Sequence, residues 1–193
     1  MSAPVHGAQG AEELPQGEAL TELVASRLDD IPDFPQPGVV FKDFTPLLRD
    51  PHASRAVVHD VVRRRAGSVD VVVGIEARGF ILGAAMAYAM GVGFVPVRKA
   101  GKLPGETLSA SYTLEYGTAT IEVHTGALQP GDRVLVVDDV LATGGTAAAC
   151  VQLVREAGAE VAGVEVVLEL GFLDGRAALE DVGVDVVSLL VQE

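Results

Sequence analysis

RVLVVDDVLATGGTAAA, residues 133–149, is the stretch that decides the fold of this chain. Four consecutive apolar residues, Val134 to Val137, have the pattern of a strand buried on both faces. The strand runs into two carboxylates, Asp138 and Asp139. A short loop with adjacent Gly144 and Gly145 then enters an alanine-rich segment that favours helix. In open α/β sheets, ligands bind at the carboxyl ends of the strands. Glycine lets the backbone turn tightly and approach a ligand with no Cβ in the way. Ala142, Thr143, Gly144, Gly145 and Thr146 thus form a loop whose N–H groups and hydroxyls suit a phosphate at a helix start. The two acids are badly placed for a phosphate but well placed to accept hydrogen bonds from a vicinal diol. The stretch therefore describes a ribose 5-phosphate site, in which the acids could also touch Mg²⁺ directly or through water. It is neither a GxxxxGK[ST] loop nor a GxGxxG fingerprint.

The flanking sequence repeats the strand–helix alternation of a parallel sheet. VDVVVG (69–74) is a buried-type strand, 79–90 a small-residue helix and GFVPV (93–97) a second strand. Downstream, helix 146–157 stops at Gly158; strand 161–168, a short helix from about 175 and the strand VDVVSLL (184–190) follow. Residues 99–117 interrupt the pattern as a Gly- and Pro-containing flexible loop. The alternating SYTLEY and ATIEVHTG (119–126) then read as a two-stranded antiparallel excursion. The fold class is α/β with a parallel-sheet core.

Residues 1–18 read as a flexible leader and 19–193 as one domain. Leu20, Leu23, Val24 and Leu28 recur at helical spacing over 19–31. A Pro-braced segment follows and makes a small hood at about 30–50; it holds Phe34, Phe41 and Phe44, three of the chain's 6 Phe. Residues 53–66 read as a helix with Arg63, Arg64 and Arg65 at its C-terminal end, where cations suit the helix dipole.

Apolar residues make up 49% of the 193-residue chain, enough for one core and against wholesale disorder. The formal net charge of −13 argues against a nucleic-acid partner, which needs a basic face. The single cysteine, Cys150, allows no intrachain disulfide and reads as a small core residue. No apolar run is long enough for a membrane span, and the N-terminus lacks the basic and apolar regions of a secretory signal. A cytoplasmic protein is expected.

Cations concentrate in two places. Arg78 follows the 69–74 strand, and its forked guanidinium suits a diphosphate. Arg98, Lys99 and Lys102 lie within five residues beside Gly101 and Pro104. Such a loop can close over a diphosphate and screen it from water.

VLVVDDVLATGGT resembles the phosphoribosyl-diphosphate signature of the type I phosphoribosyltransferases. DFPQPGVVFKDFTPLL (33–48), GIEARGFILG (74–83), RKAGKLPG (98–105) and SYTLEYG (111–117) resemble in particular the members that use adenine. These pieces recur in order over roughly 33–176. The resemblance implies transfer of phosphoribose from 5-phospho-α-D-ribose 1-diphosphate to adenine, with Mg²⁺ as cofactor and AMP and diphosphate as products, and a homodimer in which Arg98 could reach across. It assigns the diphosphate to Glu76, Ala77, Arg78, Arg98, Lys99 and Lys102, with unusual peptide geometry between Glu76 and Ala77. Arg78, Lys99 and Lys102 then assist departure of diphosphate. It makes Glu115 the acid–base residue for the purine proton. It places adenine against backbone groups of Val40 and Lys42, beside Phe41 and Leu170. Lys42 stands where the family usually has Arg, and Glu76–Ala77 where it has Asp–Ser; backbone contacts survive both changes. Members acting on hypoxanthine, guanine or xanthine, and a non-catalytic sensor of the donor, are the alternatives.

Overall fold

Why the 133–149 stretch dominates the sequence is plain in the computed structural model, which describes residues 13–113 and 117–193. Its strand, β7 (Arg133–Leu141), lies inside a sheet, and Val134 to Val137 are completely buried. The chain divides into two compact units, residues 1–56 and 57–193.

In the first unit, α1 (Glu18–Ala25) buries Leu20 and Val24. The helix ends earlier than its apolar spacing suggests. Arg27 N–H bonds the Val24 carbonyl in a tightened last turn, and the chain then extends as β1 (Asp29–Pro32). β1 pairs antiparallel with β2 (Val40–Asp43), with Ile31 opposite Phe41. The connection holds a cis Phe34–Pro35 bond. Asp33 adopts a left-handed backbone (φ 57°), and its Oδ1 accepts a 2.7 Å bond from Gly38 N–H. Of the three Phe residues in this stretch, only Phe44 is buried; Phe34 is 51% exposed and stacks edge-on with Phe41. After α2 (Thr45–Arg49), Asp50 Oδ1 accepts from the N–H groups of His52 and Ala53 and so caps α3 (Pro51–Arg65).

The second unit is built on a seven-stranded sheet among the described residues. Its strands are β3 (Val71–Ile75), β4 (Gly93–Lys99), β5 (Thr107–Thr113), β6 (Thr118–His124), β7, β8 (Glu160–Leu170) and β9 (Val186–Gln192), in the order β5-β6-β4-β3-β7-β8-β9. β4, β3, β7, β8 and β9 are parallel neighbours. β5 and β6 form the expected antiparallel excursion, with β6 pairing against the end of β4 at Arg98 and Lys99. The first of these strands begins earlier than SYTLEY, so residues 107–110 of the stretch expected to be loop are strand.

The later part of α3 also belongs to this unit, with α4 (Arg78–Met90), α5 (Gly145–Glu156) and α6 (Gly175–Glu180). α4 leads from β3 to β4 on one side, whereas the chain later returns to the other side of β3 as β7. The parallel strands therefore follow the 2-1-3-4-5 pattern, whose switch point lies between β3 and β7. Side chains of β3, β6, β7, β8 and α5 fill the core, with Cys150 fully buried among them. One buried acid was invisible in the sequence: Glu165 on β8, 2% exposed, accepts from both Arg64 and Arg65 of α3. Among the described residues no helix is long and apolar enough to cross a membrane.

Candidate active site

At the β3/β7 switch point the strands end in a cavity of about 400 Å³. Ile75, Glu76, Ala77 and Arg78 line it from the β3–α4 junction, Lys99 from the end of β4 and Asp138 and Asp139 from β7. Tyr112, Ile121 and Thr146 complete the wall. Residues far apart in the chain thus meet because parallel strands deliver all their carboxyl ends to one edge.

The β3–α4 junction is shaped by close backbone approach. A Cβ on Gly79 would stand 2.6 Å from the Val137 carbonyl oxygen, and one on Gly74 would stand 2.6 Å from the Gly79 carbonyl oxygen. Only glycines let α4 start this near β7. The Glu76–Ala77 peptide is cis, the unusual geometry expected there.

Arg78, at the first turn of α4, places Nε 2.5 Å from Asp139 Oδ2. The Asp139 side chain is 9% exposed, and its charge is balanced by this guanidinium. Asp138 keeps partial solvent access, and its Oδ1 accepts from the Asp139 N–H at 2.9 Å. Burial among protein atoms, reinforced by the negative charge of Asp139, pushes the Asp138 carboxyl well above its usual range. Two adjacent acids, one held by a cation and one that resists ionising, make an asymmetric pair of hydrogen-bonding groups.

Glu76 is occupied by its own neighbours. Its Oε2 accepts from Lys99 N–H at 3.0 Å and from Arg98 Nε at 3.3 Å. Burial pushes this carboxyl up, but those two bonds and the nearby charges of Arg98 and Lys102 outweigh it and hold the group below its usual value. Arg98 also donates to the Lys102 carbonyl at 3.2 Å, which ties the turn after β4. Of the three clustered cations, Lys99 faces the cavity, whereas Arg98 is turned toward Glu76 and Lys102 is exposed.

The 142–146 loop lies beside this cavity and encloses a recess of about 80 Å³, lined by Asp138, Ala142, Thr143, Gly144, Gly145 and Thr146 among others. Gly144 has φ 78° and precedes α5; no side chain caps the helix there. Uncapped N–H groups at a helix start favour an anion. Thr146 lines both spaces and so links them.

The matching segments run through this whole arrangement. Residues 52–190 match the family model "Phosphoribosyl transferase domain". The adenine phosphoribosyltransferase of Streptomyces clavuligerus is 63% identical over 163 residues, which cover 82% of this chain and 90% of that protein. This chain belongs to the adenine phosphoribosyltransferase family. Among solved adenine phosphoribosyltransferases, that of Rhodothermus marinus superposes with a TM-score of 0.86 at 47% identity, covering 91% of this chain and all of that one. The enzyme of Trypanosoma brucei, solved with AMP, pyrophosphate and ribose-5-phosphate, superposes at 0.82 with 29% identity, covering 89% and 79%.

In this adenine phosphoribosyltransferase family member, most of the expected site residues lie together. Asp138, Asp139, Ala142 to Thr146, Glu76 to Arg78 and Lys99 surround two adjoining spaces. Val40, Phe41 and Lys42 lie on β2 in the first unit, and Lys42 Nζ pairs with Asp30. Leu170 is the last residue of β8 in the second unit. Glu115 lies outside the described residues. Sequence reasoning missed Ile121 as a wall of the cavity and the Arg78–Asp139 ion pair. Ile121 sits in an ordinary alternating strand, so nothing in its neighbours marks it. The ion pair joins residues sixty-one apart and depends on strand order.

Proposed function

We propose that this chain transfers the 5-phosphoribosyl group of 5-phospho-α-D-ribose 1-diphosphate to adenine, giving AMP and diphosphate in purine salvage. The observation that carries the reading is the convergence of Arg78, Lys99, Asp138 and Asp139 with the 142–146 loop at the β3/β7 switch point. A recess for a phosphate adjoins a cavity with acids for hydroxyls and cations for a second anion, which is the charge pattern of the donor.

In the reaction, the C1′–oxygen bond to diphosphate breaks as the bond to purine N9 forms, and the N9 proton must leave. The 142–146 loop holds the 5-phosphate through N–H groups and the Thr143 and Thr146 hydroxyls. Asp138 and Asp139 accept from the ribose hydroxyls, and the negative charge of Asp139 favours the cationic sugar of the transition state. Arg78, Lys99 and Lys102 bind the diphosphate and stabilise its charge as it departs. The Glu76 carboxylate would repel that group, so Glu76 contributes backbone and the placement of Arg98 and Lys99. Glu115 accepts the purine proton.

No group of three or more His, Cys, Asp or Glu that could hold a metal occurs among the described residues. Mg²⁺ commonly takes one or two carboxylates and completes its shell with substrate phosphates and water. The Asp138/Asp139 pair fits that mode. Bound there with the donor, Mg²⁺ would neutralise diphosphate charge. The reading includes a cytoplasmic setting and a homodimer with Arg98 near the interface. In support of the dimer, the outer face of α4 exposes Ile81 (54%) and Tyr88 (90%).

The test is product formation from the donor with adenine, guanine, hypoxanthine and xanthine in parallel. AMP formation with strong preference for adenine is expected. Equal or better use of an oxopurine overturns the choice of base, and no turnover with any base overturns catalysis.

A further inference from the structure

The phosphate loop has a floor, and that floor is the first residue of α6. A Cβ on Gly144 would stand 2.3 Å from the Gly175 carbonyl oxygen and 2.9 Å from Ala178 Cβ. A Cβ on Gly175 would stand 2.0 Å from the Ala142 carbonyl oxygen and 2.9 Å from Gly144 N. The loop and the helix therefore meet backbone to backbone, closer than any side chain allows. Gly144 needs glycine for its left-handed φ as well, but Gly175 does not have such a φ. At Gly175 the close approach is the only constraint.

Besides Leu179, which α6 buries in the core, the next residue ties the helix to the sheet. Arg176 grips Glu169 of β8 with both arms of its fork, Nε to Oε1 at 3.0 Å and Nη2 to Oε2 at 2.5 Å. Its Nη1 donates to the Val186 carbonyl of β9 at 2.8 Å, and Ser188 Oγ donates to Glu169 Oε2 at 2.5 Å. Glu169 is 5% exposed. The guanidinium holds its carboxyl below the usual range despite burial. A bidentate, mostly buried pair of this kind has a single geometry. It fixes the position of Gly175 relative to the sheet, and hence the position of Ala142 and Gly144. Neither Glu169 nor Arg176 lines the cavity or the recess among the described residues.

We propose that Arg176, acting with Glu169 through the Gly175–Ala142 contact, is a positioning residue that sets the phosphate loop for the 5-phosphate of the donor. The inference rests on the proposed phosphoribosyl transfer. A misplacement of about 1 Å in a binding group can cost on the order of a hundredfold in rate, so a modest tilt of α6 should be measurable.

The experiment compares Arg176→Met, Arg176→Lys, Ser188→Ala and Gly175→Ala with the unaltered protein. The readouts are ribose 5-phosphate affinity by calorimetry, KM for each substrate and thermal midpoint. Arg176→Met and Gly175→Ala should weaken ribose 5-phosphate binding and raise donor KM by about tenfold, with adenine KM at saturating donor changed less than about twofold. Arg176→Lys, which keeps the charge but loses the fork, should fall between, and Ser188→Ala should be mildest. A lowered thermal midpoint with unchanged ribose 5-phosphate affinity overturns the proposal, as does an equal rise in both KM values. Should Arg176→Met or Gly175→Ala not fold, Arg176→Lys decides by the same criteria. Absence of adenine turnover in the unaltered protein would instead strike the proposed function.

Discussion

Replacing Gly79 by Ala tests how closely α4 must approach β7 for the site to form. The new methyl would stand 2.6 Å from the Val137 carbonyl oxygen and 3.3 Å from both Asp138 Cα and Asp138 Oδ1. The first distance is about 0.4 Å short of the 3.0 Å that real Cβ contacts respect, and the obstacle is backbone in a buried strand. Two effects compete. Alanine in a helix is better than glycine by about 1 kcal/mol. Forcing a methyl into packed surroundings costs about 1–3 kcal/mol, and a backbone obstacle belongs at the upper end. The net loss is about 1–2 kcal/mol, which for a chain of this length lowers the thermal midpoint by roughly 2–8 °C. Relief of the clash must lift the start of α4, and Arg78 is carried with it away from Asp139. A fall of about tenfold in kcat/KM for the donor corresponds to about 1.4 kcal/mol of lost transition-state binding. Differential scanning calorimetry and initial-rate kinetics give both numbers. Gly93→Ala is the control, since its methyl would meet only Val71 Cγ2 at 3.9 Å. A Gly79→Ala protein as stable as the parent, with unchanged donor kinetics, would refute the close-approach argument.

Asp139→Asn should raise donor KM, because it removes the partner that holds Arg78 in the cavity; unchanged donor kinetics count against that role. Asp138→Asn should lower activity yet raise the thermal midpoint near neutral pH, since the protein no longer has to ionise a carboxyl that burial and Asp139 disfavour. That gain should shrink as pH falls through the raised value, where the natural side chain is already protonated, and a pH series of melting curves checks the sign. Asp70 is held at about 2 by its hydrogen bonds to Arg133. Its contribution is complete above the ordinary carboxylate range and is lost as pH falls through about 2. Asp70→Asn should therefore lower the melting temperature at neutral pH and make progressively less difference in acid. Glu115→Gln should chiefly lower kcat and leave both KM values close to the parent's; steady-state kinetics decide.

Much of the site was legible because its parts are local. The 133–149 stretch carries strand, acids, loop and helix start in one continuous run, so hydrophobic pattern and glycine chemistry sufficed to read a candidate ribose-phosphate site. The 76–78 and 98–102 segments added cations at the ends of two further strands. The hood was less legible. Helix spacing over 19–31 continued past the residue where the backbone turns into β1, since Leu28 fits either element. Phe34 keeps half its surface exposed, although it belongs to the apolar, Pro-braced segment read as a hood.

What the sequence determined by itself was which groups are available: two acids, a glycine loop and clustered cations, each at the end of an element. What only the tertiary structure decided was their company. Strand order put β7 beside β3, which set Arg78 against Asp139 and left Glu76 to organise Arg98 and Lys99. It also brought Gly175 beneath the phosphate loop, with Arg176 locked to Glu169. These pairings join residues from different elements, so their distances follow from the order of strands and the hand of the crossovers, and no local pattern encodes them.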